Sequence, residues 1–251
     1  MKRSIIHLTL AVVLVLSSCV HAGKQGTKAP ESPRMIRVAI APSALNAQKS
    51  YTLLPKAEEL TEQDGAVLYN QAVQALPAQM NTKQLSEWRS MPLSQLPQAQ
   101  VQALLQQAQA SLDLVGRGTK CRSCQWPPFV PGTMPANLPE YRQLAFLLCV
   151  KARLEVAQGE YDKAIDTIRT GLAMSKHLGE APTIIQGITG IATAALMLRP
   201  LEDLAQVKGS PNLCSALQAL PRPLVNIEVP IAAEVKNLDT SSQYNALTRS
   251  V

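Results

Sequence analysis

Cys121-Arg122-Ser123-Cys124 is the run in this chain whose residue types and spacing suggest chemistry. Two thiols three apart can close into a reactive disulfide or supply half of a zinc site. A zinc site needs two more ligands. Cys149, Cys214 and His177 are the sulfur and imidazole candidates in the folded part, and none forms a second close pair. Haem attachment fails, because Gln125 stands where that motif requires histidine. The redox reading lacks a βαβ setting and falls in a proline-rich stretch. The simplest reading is a structural disulfide, which an exported compartment permits; redox and metal roles stay as alternatives.

The other chemical signals are sparse. Of three histidines, His7 and His21 lie in or beside the leader, so base catalysis would rest on His177. His177 and Lys176 are expected in the last turn of a helix, where cations favour the dipole. No Gly-x-Ser-x-Gly, His-Glu-x-x-His or P-loop is present, so no catalytic set is complete. Cys149 falls on an apolar helix and reads as a small buried hydrophobe; a Cys149–Cys214 bridge does not follow from the sequence. No cofactor and no metal is implied.

The N-terminus carries an address. Met1-Lys2-Arg3 and the apolar run to Leu16 have the form of a secretory leader. Leu16-Ser17-Ser18-Cys19 resembles a bacterial lipobox, which makes Cys19 the lipidation site and the mature N-terminus. The competing reading is cleavage after Ala22 and release as a soluble secreted protein. A lipid anchor would hold the chain at a membrane without a transmembrane helix. The formal charge is +6. The basic residues have no aromatics interleaved for stacking, which argues against nucleic-acid binding.

Positioning falls to helices. The chain of 251 residues is 46% hydrophobic and only 4% aromatic, which favours helix over an all-β fold. Pro139 suits a first helical turn, with Asn137 as cap. Leu144, Leu147, Leu148, Ala152 and Leu154 then define one face up to Gly159. A second helix carries Tyr161, Ala164, Ile165, Ile168 and Leu172 to Gly179. A third, Pro182–Leu198, places Ile184, Ile188, Ile191 and Leu198 in an apolar stripe read as core. Gly187, Gly190 and Ala194 form a small-residue face suited to close packing. Breaks this short make neighbouring helices antiparallel. Upstream, Thr61 and Asp64 suggest a cap for a helix with Ala66, Val67, Tyr69, Ala72, Val73 and Leu76 inward. Asn81 can cap a short helix through Trp88, and a longer one runs from Pro97 to Gly116. Met35–Ala41 is the only strand-like run. Residues 116–138 form a long irregular Cys/Pro-rich loop that can present Trp126 and Phe129 to a partner.

The segment 144–178 resembles one tetratricopeptide repeat: Ala152, Gly159, Tyr161, Ala164, Ile168 and Gly171 fall where that motif wants its small, Gly, aromatic and large residues. A wider resemblance covers about residues 66–238. It rests on Cys124-Gln125-Trp126, Leu144-Ala145, Ala152-Arg153, Gly159, His177-Leu178-Gly179, Gly190-Ile191-Ala192, Pro211-Asn212-Leu213, Ala216-Leu217 and Leu220-Pro221-Arg222-Pro223-Leu224. In these the chain is similar to an uncharacterised family of exported proteins from planctomycete-type bacteria. That resemblance implies a helical, tetratricopeptide-like exported domain and no activity. The family prefers an acidic residue where this chain has Gln125, which weakens a metal or acid–base role for the loop.

The expectation is therefore an all-α bundle of antiparallel hairpins. Residues 1–18 form the signal peptide, 19–56 a tether and extended arm, 57–238 one helical domain and 239–251 a polar tail. The expected function is a membrane-anchored scaffold or interaction module with a protein partner in the bacterial envelope; the alternative is a thiol-redox or metal-binding protein using Cys121 and Cys124.

Overall fold

Asp64 starts the first helix of the computed structural model, which describes residues 50–128, 130 and 133–236. Its carboxylate accepts the amide of Ala66 at 3.0 Å and caps α1 (Gly65–Gln74). Asn81 caps α2 (Thr82–Ser90) by accepting from the Gln84 amide at 3.1 Å. Two helices follow where one was expected. α3 (Gln98–Gln107) and α4 (Gln109–Gly118) meet at Ala108, whose backbone leaves the helical region. Val101, Leu105, Ala108, Leu112 and Val115 still share the buried side.

Residues 116–138 are not all loop. α4 continues to Gly118, and β2 (Cys121–Ser123) pairs in parallel with β1 (Thr61–Asp64), Thr61 opposite Cys121 and Asp64 opposite Ser123. Thr61 is thus a strand residue and only Asp64 caps. Local reading misses this ribbon because its partners lie about 60 residues apart in the chain. Met35–Ala41, Cys19, Ala22, Phe129 and the 239–251 tail lie outside the described residues.

The centre is α5 (Leu138–Ala157). Every residue from Leu144 to Val150 is buried, so the helix has no outer face over two turns. A helix apolar all round must be surrounded, and α5 touches α1 to α4 as well as the two helices after it. Those are α6 (Tyr161–Gly179) and α7 (Ile184–Gln206). Gly159 makes the turn before α6 at φ 74°, a region glycine enters freely. A short α8 (Cys214–Gln218) and a last stretch, α9 (228–236), complete the described chain, which is mostly helical. The core also takes in Leu53, four residues before the expected start of the domain.

α7 corrects the expectation for the third helix twice. It does not stop near Leu198 but passes through Pro200 to Gln206. Proline removes one backbone bond, and the helix is held beyond it by buried Asp203 and Leu204. Its Ile stripe is also on the outside. Ile188, Ile191 and Leu198 are exposed, while Gly187 and Gly190 face inward. A Cβ at Gly190 would come within 2.6 Å of the Ser175 carbonyl oxygen, and Gly187 lies against Ile227 and Pro230. Backbone contact through glycine therefore took the inner position that side-chain hydrophobicity pointed to. By length and composition α7 is the one helix among the described residues that could cross a membrane. Val67, expected inward on α1, is likewise exposed.

Candidate functional site

The described residues of the loop from Cys124 to Asn137 lie over α1, α5 and α6, and one carboxylate starts the arrangement. Asp64 Oδ1 accepts from the amide of Gln125 at 2.8 Å as well as from Ala66, so the α1 cap also holds the loop. Trp126 follows. Its Nε1 donates to the His177 carbonyl at 2.9 Å, its ring stacks on Tyr69 with centroids 6.0 Å apart, and it meets Tyr141 edge-on at 5.7 Å. A half-buried indole with its N–H satisfied is an anchor for the loop.

Beneath it, Tyr69 Oη and His177 Nδ1 share a hydrogen bond of 2.7 Å. Burial, helped by nearby Lys176, pushes His177 down to about 4. His177 is therefore neutral and buried, so it does not act as the last-turn cation expected from its position. Burial also holds Tyr69 well above the usual tyrosine range, with the two cysteines adding to the effect. Tyr141 is raised by burial to about 12, and its hydroxyl donates to Asn70 Oδ1 at 2.8 Å. Asn137 Nδ2 donates to the same oxygen at 3.0 Å. Asn137 sits at φ 64° and makes no cap with its side chain, which turns to Asn70 instead.

Both loop cysteines close on the start of α1. A Cβ on Gly65 would lie 2.5 Å from Cys124 Sγ and 3.3 Å from Cys121 Cβ. Cys121 is buried and its thiol points to the Arg117 carbonyl at 3.6 Å. Burial, then Glu180 and Asp64, raise Cys124 far above the ordinary thiol value. A helix N-terminus usually favours thiolate; here desolvation and two carboxylates outweigh it. Cys121, Cys124, Cys149 and Cys214 are all free thiols. Cys149 lies in the core, raised by burial to about 12. Among the described residues no group of three His, Cys, Asp or Glu side chains is placed to hold a metal.

The loop and helices enclose a cavity of about 440 Å³, walled by Asn70, Trp126, Met134, Tyr141, Thr183 and Gln186 among others. Among the described residues no charged side chain lines it. Its size lies in the range of ligand sites. A larger cleft, about 720 Å³, is lined by charged side chains, some of them paired: Lys151 donates to Glu155 and to Thr167, and Arg169 pairs with Glu59.

Sequence reasoning found Trp126, His177 and the cysteines but not Tyr69, Asn70 or Tyr141. One signal was available: a tyrosine on the inward face of a helix needs a partner for its hydroxyl. The arrangement is that of a mostly helical protein with an uncharged aromatic–amide cleft. No protein family, curated protein or solved structure matches the chain.

Proposed function

We propose that this protein is a helical interaction module, held at the bacterial envelope by lipid on Cys19, that takes a protein partner at the loop 124–137. The observation that carries this is the cleft itself: about 440 Å³, without a charged wall, and open beside exposed Met134. An uncharged wall of amides, prolines and aromatic rings suits an uncharged stretch of polypeptide better than a phosphate, a carboxylate or a cation.

The chemistry around the cleft supports binding over catalysis. His177 is neutral and bonded to Tyr69, and Cys124 is held as a thiol, so neither is an activated base or nucleophile. α5 and α6 are read as one tetratricopeptide-like antiparallel hairpin turning at Gly159. Kinship with the exported planctomycete-type family belongs to the same proposal. Release from the membrane after cleavage at Ala22 is the competing fate.

The test is photocrosslinking in intact cells with a photoreactive residue at Met134, and with one at exposed Lys83 as control. A discrete protein adduct is expected at Met134 alone. No adduct there, or equal adducts at both sites, would refute the loop as contact site. Cys19→Ala is expected to release the protein from membranes, and continued retention would rule out the anchor. A second reading, thiol redox, is favoured by one observation: Cys121 and Cys124 both close on Gly65. Rapid alkylation of Cys124 at neutral pH would support it; slow alkylation is expected.

A further inference from the structure

The loop cleft holds two polar groups that the described chain leaves unused. Gln186, in the first turn of α7, is 5% exposed and lines the cavity. Its oxygen is engaged. Thr183, the cap of α7, accepts from the Gln186 amide at 3.3 Å and donates to Oε1 at 2.7 Å. Nε2 has no partner among the described residues, whereas a buried side-chain amide ordinarily finds one. Among those residues, the unpartnered side-chain atoms sealed in the interior belong to Arg169 and Arg199, so Nε2 opens on the cavity that Gln186 lines. Asn70 on α1 repeats the pattern. Its Oδ1 accepts from Tyr141 Oη at 2.8 Å and from Asn137 Nδ2 at 3.0 Å, which fills both acceptor positions. Its Nδ2 also has no partner among the described residues, and Asn70 lines the same cavity.

What stays open at both places is N–H, and N–H calls for an acceptor. The described walls carry no charge, so a carboxylate or phosphate would be desolvated there without a counter-charge. The fitting acceptor is a neutral carbonyl. An ordinary extended chain brings an N–H with every carbonyl, and each one it buries needs an acceptor of its own. Proline brings the carbonyl alone. Its ring also suits the rest of the wall, where Trp126, Tyr141, Pro128 and Pro135 present aromatic and apolar surface. A run of prolines is held in one extended form before it binds, so little ordering remains to be done on docking.

We propose that the partner segment taken by this cleft is proline-rich and extended, with Gln186 Nε2 and Asn70 Nδ2 donating to its main-chain carbonyls and its rings set against Trp126 and Tyr141. This rests on the cleft beside Trp126 being the partner's contact site, and it names the kind of polypeptide that docks there. It does not depend on the anchor.

The experiment is fluorescence anisotropy of a dye-labelled decaproline peptide with the purified full chain. Unlabelled decaproline competes in one arm, a glycine–serine peptide of the same length in a second, and the neutral sugar oligomer chitohexaose in a third. Binding is expected, with displacement by decaproline alone. Gln186→Glu and Asn70→Asp each keep the bonded oxygen and put an acceptor where the NH2 group stands. Each is expected to weaken binding about tenfold or more, with a melting temperature close to that of the unchanged chain. Gln102→Glu makes the same exchange at an exposed site on α3 and is expected to change nothing. The comparison of competitors needs no variant, so a variant that fails to fold leaves it intact. No binding of decaproline would overturn the proposal. So would equal displacement by the glycine–serine peptide or by chitohexaose, or undiminished affinity in both folded variants. A protein adduct at Met134 without decaproline binding refutes this inference alone, while absence of that adduct refutes the contact site beneath it.

Discussion

His177 shows how much a single environment decides. An exposed histidine in a last helical turn is a cation near pH 6. This one is buried against Tyr69, and burial lowers it to about 4. The unfolded chain has a histidine near the ordinary value of about 6.5. Between about 6.5 and about 4 the unfolded state binds a proton that the folded state refuses, so stability falls as pH falls through that window. The contribution is on the order of 3 kcal/mol, fully present above about pH 6.5 and lost towards about pH 4. Urea midpoints at pH 7 and pH 4.5 check this. The unchanged chain should lose more stability on acidification than His177→Phe; equal losses would show that His177 is not the titrating group. Cys124 is the companion case. Its spacing to Cys121 suggested a reactive pair, and its surroundings hold it as a thiol.

The helices pack through their glycines, and three of these give opposite expectations. A Cβ at Gly190 meets backbone, 2.6 Å from the Ser175 oxygen and 3.0 Å from the Gly179 nitrogen, so α6 and α7 must move apart to admit it. Gly190→Ala is expected to cost roughly 1–3 kcal/mol. At Gly171 the obstacle is the flexible side chain of Met197, which can swing aside, so Gly171→Ala should cost less. Gly116 lies inside α4 with nothing within 4 Å, and Gly116→Ala should stabilise by about 0.5–1 kcal/mol. Thermal melts of the three variants rank them. An unchanged melt for Gly190→Ala would refute close α6–α7 packing. The same contacts explain why the Ile stripe faces out: α7 can bring its backbone this near to α6 only through its glycine side.

At the scale of the whole molecule, one buried guanidinium ties the early helices to the late ones. Arg153 on α5 has no exposed surface. Its Nε donates to Asp203 of α7 at 2.6 Å, Nη1 to the Trp88 carbonyl and Nη2 to the Met91 carbonyl at 2.7 Å. Three parts of the chain meet on one side chain. Arg153→Met leaves Asp203 charged in the interior, with only partly exposed Arg199 beside it at 3.6 Å. That substitution is expected to cost about 3–5 kcal/mol. Arg153→Met with Asp203→Leu should recover more than half, because apolar replacement of both partners removes the uncompensated charge. If the double variant melts no higher than the single one, the carbonyl contacts to Trp88 and Met91 matter more than the ion pair.

Local periodicity and capping chemistry were enough to place α2, α5 and α6, since apolar spacing, Asn81, Pro139 and Gly159 act within a few residues of themselves. The all-α class follows from the same signals. Composition and motif also placed the cysteine–proline loop and named Trp126 and His177 as residues to examine. Tertiary structure alone decided the rest. It paired Thr61–Asp64 with Cys121–Ser123 across the chain, set His177 beneath Tyr69, and joined Asn70 to Tyr141 and Asn137. It also chose which side of α7 is buried. A helix that is apolar on most sides carries no inward direction of its own; the backbone approach that only glycine permits supplied one.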